Sequence, residues 1–213
     1  MFRPIPSHHF AFCNPVIRIN LKIIVTNTRN AIPNPSLSML LYFAYGSNLH
    51  PYRLKARVPS AELLGMATLA GYRLNFHKQG ADGSGKCNLQ YTGQGQVIGA
   101  LYRFPKHHKR ILDNYESGYQ THPVTVTWEG NTLTSFTYIA HPGKINDNLK
   151  PYEWYRQMLI LGGYYLEMPR HYLHAVTAVQ SLDDPDKKRR LENEALLAKM
   201  DRMNKVKAGL KGW

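Results

Sequence analysis

Residues 42–49 read YFAYGSNL, an apolar run that stops on Gly46, Ser47 and Asn48. A buried strand ending on three small or polar residues turns backbone N–H groups outward at the sheet edge. Gly46 allows either a positive φ or close approach by a ligand. Such a concavity suits a carboxylate, or a carbonyl oxygen that gathers charge during reaction. A second chemical group stands in ILDNYESGY, at Glu116. The pattern predicts a helix over PKHHKRILDNYE whose C-terminal end carries this glutamate, where the helix dipole disfavours an acid. Local helix energetics do not account for it, and the following SGY turns the chain toward a strand that brings the carboxylate under the sheet edge. The plain alternatives are an ordinary strand-end turn and a solvated glutamate. Ser47 as a nucleophile lacks a histidine placed by the sequence to activate it.

The elements that must position these groups alternate along the chain. LLYFAY reads as a buried strand, and PYRLKAR as a short helix with Pro51 at its first position. LLGMATLAG, YRLNF, CNLQY and QVIGALYRF are four candidate strands, and PVTVTW with TLTSFTYIA forms a hairpin across EGN. PYEWYRQMLIL and PRHYLHAVTAV read as helices that each begin with proline. The order implies an α+β fold with a largely antiparallel, barrel-like sheet. GADGSGKC (residues 80–87) nearly spells a phosphate-binding loop, but Cys87 stands where a hydroxyl must reach magnesium. A strand follows it instead of a helix, so it reads as a Gly-rich connection between strands that could close over a site.

Composition bounds the rest. A chain of 213 residues, 43% hydrophobic with 14 Tyr, supports one substantial core. The formal charge of +13 is unevenly spread: residues 1–38 carry +4 with no acid, residues 183–213 carry +3, and the middle carries +6. That middle suits an anionic small molecule, and no motif or aromatic–basic interleaving points to nucleic acid. No apolar stretch approaches a membrane span, since Arg18 and Lys22 interrupt PVIRINLKIIV. Two cysteines, Cys13 and Cys87, make no disulfide framework, so a reducing cytoplasm is the default location. Residues 1–38 hold five prolines and no periodicity. They read as a disordered extension or as a mis-assigned start, with Met39 the favoured initiator because the pattern begins there. Residues 39–182 read as the domain. Residues 183–213 read as a basic helical tail, with Leu196, Met200 and Met203 on one stripe. That tail is either a solvated helix resting loosely on the domain or a contact surface for an acidic partner.

Taken together, YFAYGSNL, ILDNYESGY, FTYIA and PYEWYRQMLILGG resemble the γ-glutamylcyclotransferases over roughly residues 40–180. The resemblance implies a small mixed, largely antiparallel β-barrel with flanking helices and a small-molecule γ-glutamyl substrate. It implies that Glu116 is the catalytic acid/base and that Tyr42, Phe43, Ala44, Tyr45, Gly46, Ser47 and Asn48 contact the substrate. Tyr138 and Tyr155 would supply pocket hydroxyls. The implied reaction cyclises a γ-glutamyl amide to 5-oxoproline and frees the amine, with no cofactor and no metal. Members often carry glycine directly after the glutamate, whereas here Ser117 precedes Gly118. Rival readings are removal of a γ-glutamyl group from an acidic carrier protein and a non-catalytic ligand-binding module of the same fold. The oligomeric state is open.

A chain shortened to begin at Met39 is expected to fold with an unchanged melting temperature. Loss of soluble protein on that truncation would show that residues 1–38 belong to the fold.

Overall fold

The computed structural model describes residues 38–210, so the reading of residues 1–38 as an extension lies outside the described residues except at Ser38. Strand β1 (Met39–Ala44) lies between β3 (Gly85–Pro105), to which it is antiparallel, and β5 (Asn131–Ala140), to which it is parallel. Covered on both faces, it buries Tyr42, Phe43 and Ala44 in succession, which is why its sequence is continuously apolar and does not alternate. The order β1-β3-β2-β4-β5 closes the sheet on itself, with β2 at Glu62–Gln79 and β4 at Tyr119–Trp128. Thr68 of β2 pairs with Thr127 of β4. Closure rests on that pairing and on the one between Tyr42 of β1 and Phe136 of β5. Phe43, Leu101, Tyr102, Phe104, Leu112 and Val126 all lie in the buried core.

Four of the expected strands are two. LLGMATLAG and YRLNF run together as β2, and CNLQY and QVIGALYRF as β3. Gly71 and Gly93 take φ of +80° and +71°, and the register shifts between Ala70 and Tyr72. Glycines that read as strand ends are absorbed as irregularities inside a long, bent ribbon. The β4–β5 hairpin turns on Glu129 and Gly130, both with positive φ (47° and 77°), the geometry of a tight two-residue connection. The Gly-rich segment joins β2 to β3, and Lys86 lies in β3 bonded to Asp82 at 2.7 Å.

The helix expected over residues 105–116 is shorter. After a 3-10 turn at Lys106–His108, α2 covers only Lys109–Asp113, and Glu116 sits in the turn beyond it. The helix-dipole conflict inferred from the sequence is therefore weaker than expected, because its effect falls off within the last turn. Helix α1 (Pro51–Arg57) begins as the proline predicts, whereas α3 (Glu153–Tyr165) starts two residues after Pro151 and α4 (Arg170–Thr177) one after Pro169.

Helix α5 (Lys187–Leu210) is packed and does not rest loosely. Asp186 caps it, accepting from the Arg189 amide at 2.9 Å. Met200 is fully buried, and Leu196 and Leu197 pack beside the core. Asn204 donates to the Leu161 carbonyl at 3.0 Å and meets the His50 ring at 3.2 Å, while Lys207 donates to the Tyr165 carbonyl. His50, itself fully buried, accepts from the Tyr52 amide at 3.1 Å and so caps α1. Burial holds its imidazole neutral, with a pKa lowered to about 4. No helix among the described residues is long and apolar enough to cross a membrane.

If α5 is part of the fold, Met200→Ala should cost about 2–5 kcal/mol, the usual range for emptying a buried methionine site. Urea denaturation checks this. A change within about 0.5 kcal/mol, typical of surface substitutions, would restore the loose-tail reading.

Candidate active site

Beyond Ala44 the chain passes through Tyr45 and Gly46 into a 3-10 turn, Ser47–Leu49, closed by the Leu49 amide on the Gly46 carbonyl at 3.0 Å. Gly46 has φ −117°, so its small size is not needed for a left-handed conformation. Close approach is the reason: a Cβ there would lie 3.2 Å from the Cβ of Cys87 and 3.3 Å from the Tyr155 hydroxyl. The turn is pinned from two sides. Tyr102 donates to the Leu49 carbonyl at 2.8 Å, and Gly162 of α3 approaches so closely that a Cβ would meet the Leu49 Cβ at 2.6 Å. A 3-10 turn leaves its first amides without partners inside the turn, so those of the Gly46–Ser47 segment are free of intra-turn bonds.

Glu116 comes to the same end of the sheet from the turn before β4, whose first residue, Tyr119, pairs with Ala140 at the end of β5. The side chain of Asn48 donates to Glu116 Oε1 at 2.9 Å and to the Tyr42 hydroxyl at 3.2 Å, and accepts from Arg57 at 3.0 Å. Arg57 also lies 3.7 Å from the carboxylate. Asn48 is buried, and these three bonds occupy both of its N–H donors and its carbonyl. It therefore orients Glu116 and Arg57. The Glu116 side chain keeps 13% of its exposure. Burial, the largest influence, raises its pKa above the ordinary value of 4.5, and Arg57, Asn48, Arg53 and Lys78 oppose that rise without cancelling it.

A cavity of about 30 Å³ is lined by Tyr42, Tyr45, Gly46, Ser47, Asn48, Cys87, Glu116, Tyr119, Tyr138 and Tyr155. Most of the residues expected from the sequence are thus brought together. Phe43 and Ala44 are not among them: both are fully buried within β1, and the Phe43 carbonyl accepts from Thr137 at 2.8 Å. Tyr155 faces the turn and accepts from the Cys87 amide at 3.1 Å. Tyr138 offers its ring, but its hydroxyl donates to Asp113 at 2.6 Å, away from Glu116. Tyr45 donates to the Tyr138 carbonyl, and Tyr119 to the Cys87 carbonyl at 2.7 Å. Burial raises the pKa of every one of these phenols, so they stay protonated. Burial also pushes the Cys87 thiol up to about 12, which keeps it un-ionised.

A broader cleft of about 540 Å³ adjoins this cavity and shares Ser47, Glu116, Tyr119 and Tyr155 with it. Sequence reasoning missed Arg53, Arg57, Lys78 and Tyr119. Arg53 and Arg57 stand four residues apart in PYRLKAR, so both face one side of α1, and that spacing was a usable signal. Lys78, which donates to the Ser117 carbonyl at 2.7 Å, carries no such mark in YRLNFHK. Gly118, directly after Ser117, takes φ +79°.

A model of the family described as gamma-glutamyl cyclotransferase, AIG2-like, matches residues 42–157, which include both the strand-end turn and Glu116. The chain belongs to that family. It is 28% identical over 162 residues to human gamma-glutamylcyclotransferase, spanning 71% of this chain and 85% of the relative. The bovine protein of the same name is 29% identical over 153 residues, spanning 67% and 80%. Among solved structures, a gamma-glutamyl cyclotransferase superposes with a TM-score of 0.67 at 26% identity, covering 76% of this chain and 99% of that one. A human protein described as uncharacterized superposes at 0.65, also at 26% identity, covering 75% and 98%.

The raised pKa of Glu116 fixes a sign for stability. The folded state holds the carboxyl proton more tightly than the unfolded chain, so this group's stabilising contribution is complete below about pH 4.5 and is lost as pH rises through the folded value. The difference in melting temperature between Glu116→Gln and the wild type should therefore move in favour of the variant as pH rises from 4 to 8. A difference that moves the other way would mean that Arg57 and Asn48 outweigh burial.

Proposed function

We propose that this protein cyclises a γ-glutamyl amide to 5-oxoproline and releases the free amine. The observation that carries the reading is the place of Glu116, at the junction between the small cavity beside the Gly46–Ser47 turn and the broad cleft. A γ-glutamyl group seated in the broad cleft with its end at the mouth of the small cavity, and the amine leaving group farther along the cleft, would put the scissile amide at the carboxylate. The α-amine then attacks the γ-carbonyl of its own glutamyl group, forming the ring C–N bond as the original amide C–N bond breaks. Because the nucleophile is part of the substrate, proximity supplies much of the rate and no water is consumed.

The chain's residues supply the rest. Glu116, as carboxylate, takes a proton from the α-ammonium and gives it to the departing nitrogen; the second proton shed by the ring nitrogen follows the same route, so the amine leaves as an ammonium and Glu116 ends as it began. A carboxyl raised toward neutrality suits both halves of that task. Amides of the Gly46–Ser47 turn hold the glutamyl moiety and donate to the oxygen that becomes negative in the tetrahedral intermediate, an effect on the order of a few kcal/mol per donor elsewhere. Asn48 fixes the carboxylate so that little reorganisation accompanies each transfer. The protonated phenols of Tyr42, Tyr119 and Tyr155 exclude water from the same space.

Glu116→Gln keeps the shape and can still accept from Asn48, but it cannot take the proton. With a γ-glutamyl dipeptide as substrate and 5-oxoproline followed by mass spectrometry, kcat should fall by about 10²–10⁴ while binding persists. Near-full production by the variant would overturn the assignment of Glu116 and with it the mechanism.

A further inference from the structure

The broad cleft is lined by five cationic side chains, Arg53, Arg57, Lys78, Lys86 and Lys144, against two carboxylates, Asp82 and Glu116. Each carboxylate already serves one cation: Asp82 holds Lys86 at 2.7 Å, and Glu116 lies beside Arg57. Lys78 donates to the Ser117 carbonyl at 2.7 Å and lies 4.6 Å over the Tyr119 ring, with no carboxylate in ion-pair contact among the described residues. Arg53 is largely buried, and its Nε has no hydrogen-bond partner. The cations crowd one another. Burial is the main influence that disfavours the charge on Arg53, Lys78 and Lys86; Glu116 or Asp82 opposes it, and the neighbouring cations add to it, Arg57 at Arg53, Arg53 at Lys86, and Lys86 with Lys144 at Lys78. Lys78 and Lys144 both pack against Gly118, where a Cβ would meet their side chains at 3.2–3.3 Å. Lys86 is held over the rings of Trp154 and Tyr155 at 4.5 and 4.7 Å, so it cannot readily swing out to water. Like charges confined to one concavity destabilise the empty protein, and an anion seated among them relieves that cost.

We propose that this cleft is a polyanion subsite for the leaving group, so that the preferred γ-glutamyl substrate releases an amine carrying two or more carboxylates, such as an acidic amino acid or a short acidic peptide. The proposal rests on the cyclotransferase reading for the position of the leaving group. A single carboxylate would satisfy Arg53, whose planar guanidinium accommodates it in bidentate fashion, and would leave Lys78 and Lys144 without an anionic partner. A second carboxylate reaches those lysines near Gly118. The bonds formed and broken are those of the cyclisation above, since the subsite acts on binding and orientation only.

The test is a ladder of leaving-group charge: γ-glutamyl-n-butylamine, γ-Glu-Ala and γ-Glu-Glu, carrying none, one and two carboxylates on the departing amine. On the wild-type enzyme, kcat/KM for 5-oxoproline release should rise about tenfold per carboxylate, the scale of a charge-assisted hydrogen bond. Added salt should flatten the ladder. Arg53→Gln should collapse it, and so in part should Lys144→Gln, an exposed position whose exchange does not threaten the core. Equal kcat/KM across the ladder, or a loss in Arg53→Gln that is uniform over all three substrates, would overturn the proposal. Calorimetry of the same compounds on Glu116→Gln separates it from the reaction. Charge-dependent affinity without turnover by the wild type upholds the subsite and refutes the cyclotransferase reading, whereas turnover with charge-independent affinity does the reverse.

Discussion

The hydrogen bond from Asn48 to Glu116, 2.9 Å long, joins residues 68 apart in sequence and makes one site out of two turns. One turn ends β1; the other lies between α2 and β4. Neither is rigid by its own sequence. The first is fixed by Tyr102 and by the close approach of Gly162, the second by Lys78 and the positive φ of Gly118. Barrel closure through the parallel β1–β5 contact sets β1 within the sheet that carries both turns. Asn48 then uses both donors and its acceptor on Glu116, Tyr42 and Arg57.

The electrostatics of the site are a balance with burial on one side and cations on the other. A carboxyl with this little exposure and no partner would stay protonated and make a poor base. One bonded at close range by a guanidinium would be held ionised and make a poor acid. Arg57 stands at 3.7 Å, too far for a strong hydrogen bond, and gives its closer contact to Asn48 at 3.0 Å. The arginine is thereby restrained from fully ionising its neighbour. The same logic reaches outward, where the fixed lysines and arginines of the cleft face a space large enough for a small peptide. Helix α5 belongs to this frame as well, since Asn204 meets His50, the residue that caps α1 and so supports Arg53 and Arg57.

Much of this was legible in the sequence, for physical reasons that also mark its limits. YFAYGSNL declares a buried strand that stops at a turn, and the structure shows both, although Gly46 is required by the close approach of Cys87 and Tyr155 and not by a positive φ. The hairpin about EGN follows from alternation and a turn dipeptide. Glu116 stood out, though partly for a reason the structure weakens: the helix ends at Asp113, because DNYESG can satisfy its backbone in consecutive turns. The unbroken runs of β2 and β3 were hidden because a glycine at a bulge and a glycine at a strand end look alike in one dimension. The work of Asn48 was hidden too, since an amide that binds a ligand and one that orients a carboxylate share one residue type. Lys78 and Lys144 are brought together only by the fold, across residues from β2 and the loop after β5.

The central claim is that a buried but still ionisable Glu116 carries the proton. Titration of ¹³C-labelled glutamate side chains by NMR, with Glu116→Gln used to assign the resonance, measures that ionisation directly. The account predicts a carboxyl that titrates above the ordinary value of 4.5 and moves higher still in Arg57→Gln, where an opposing cation is removed. A Glu116 that titrates at or below 4.5 would contradict it, because a carboxylate so firmly ionised could not return the proton to the leaving amine.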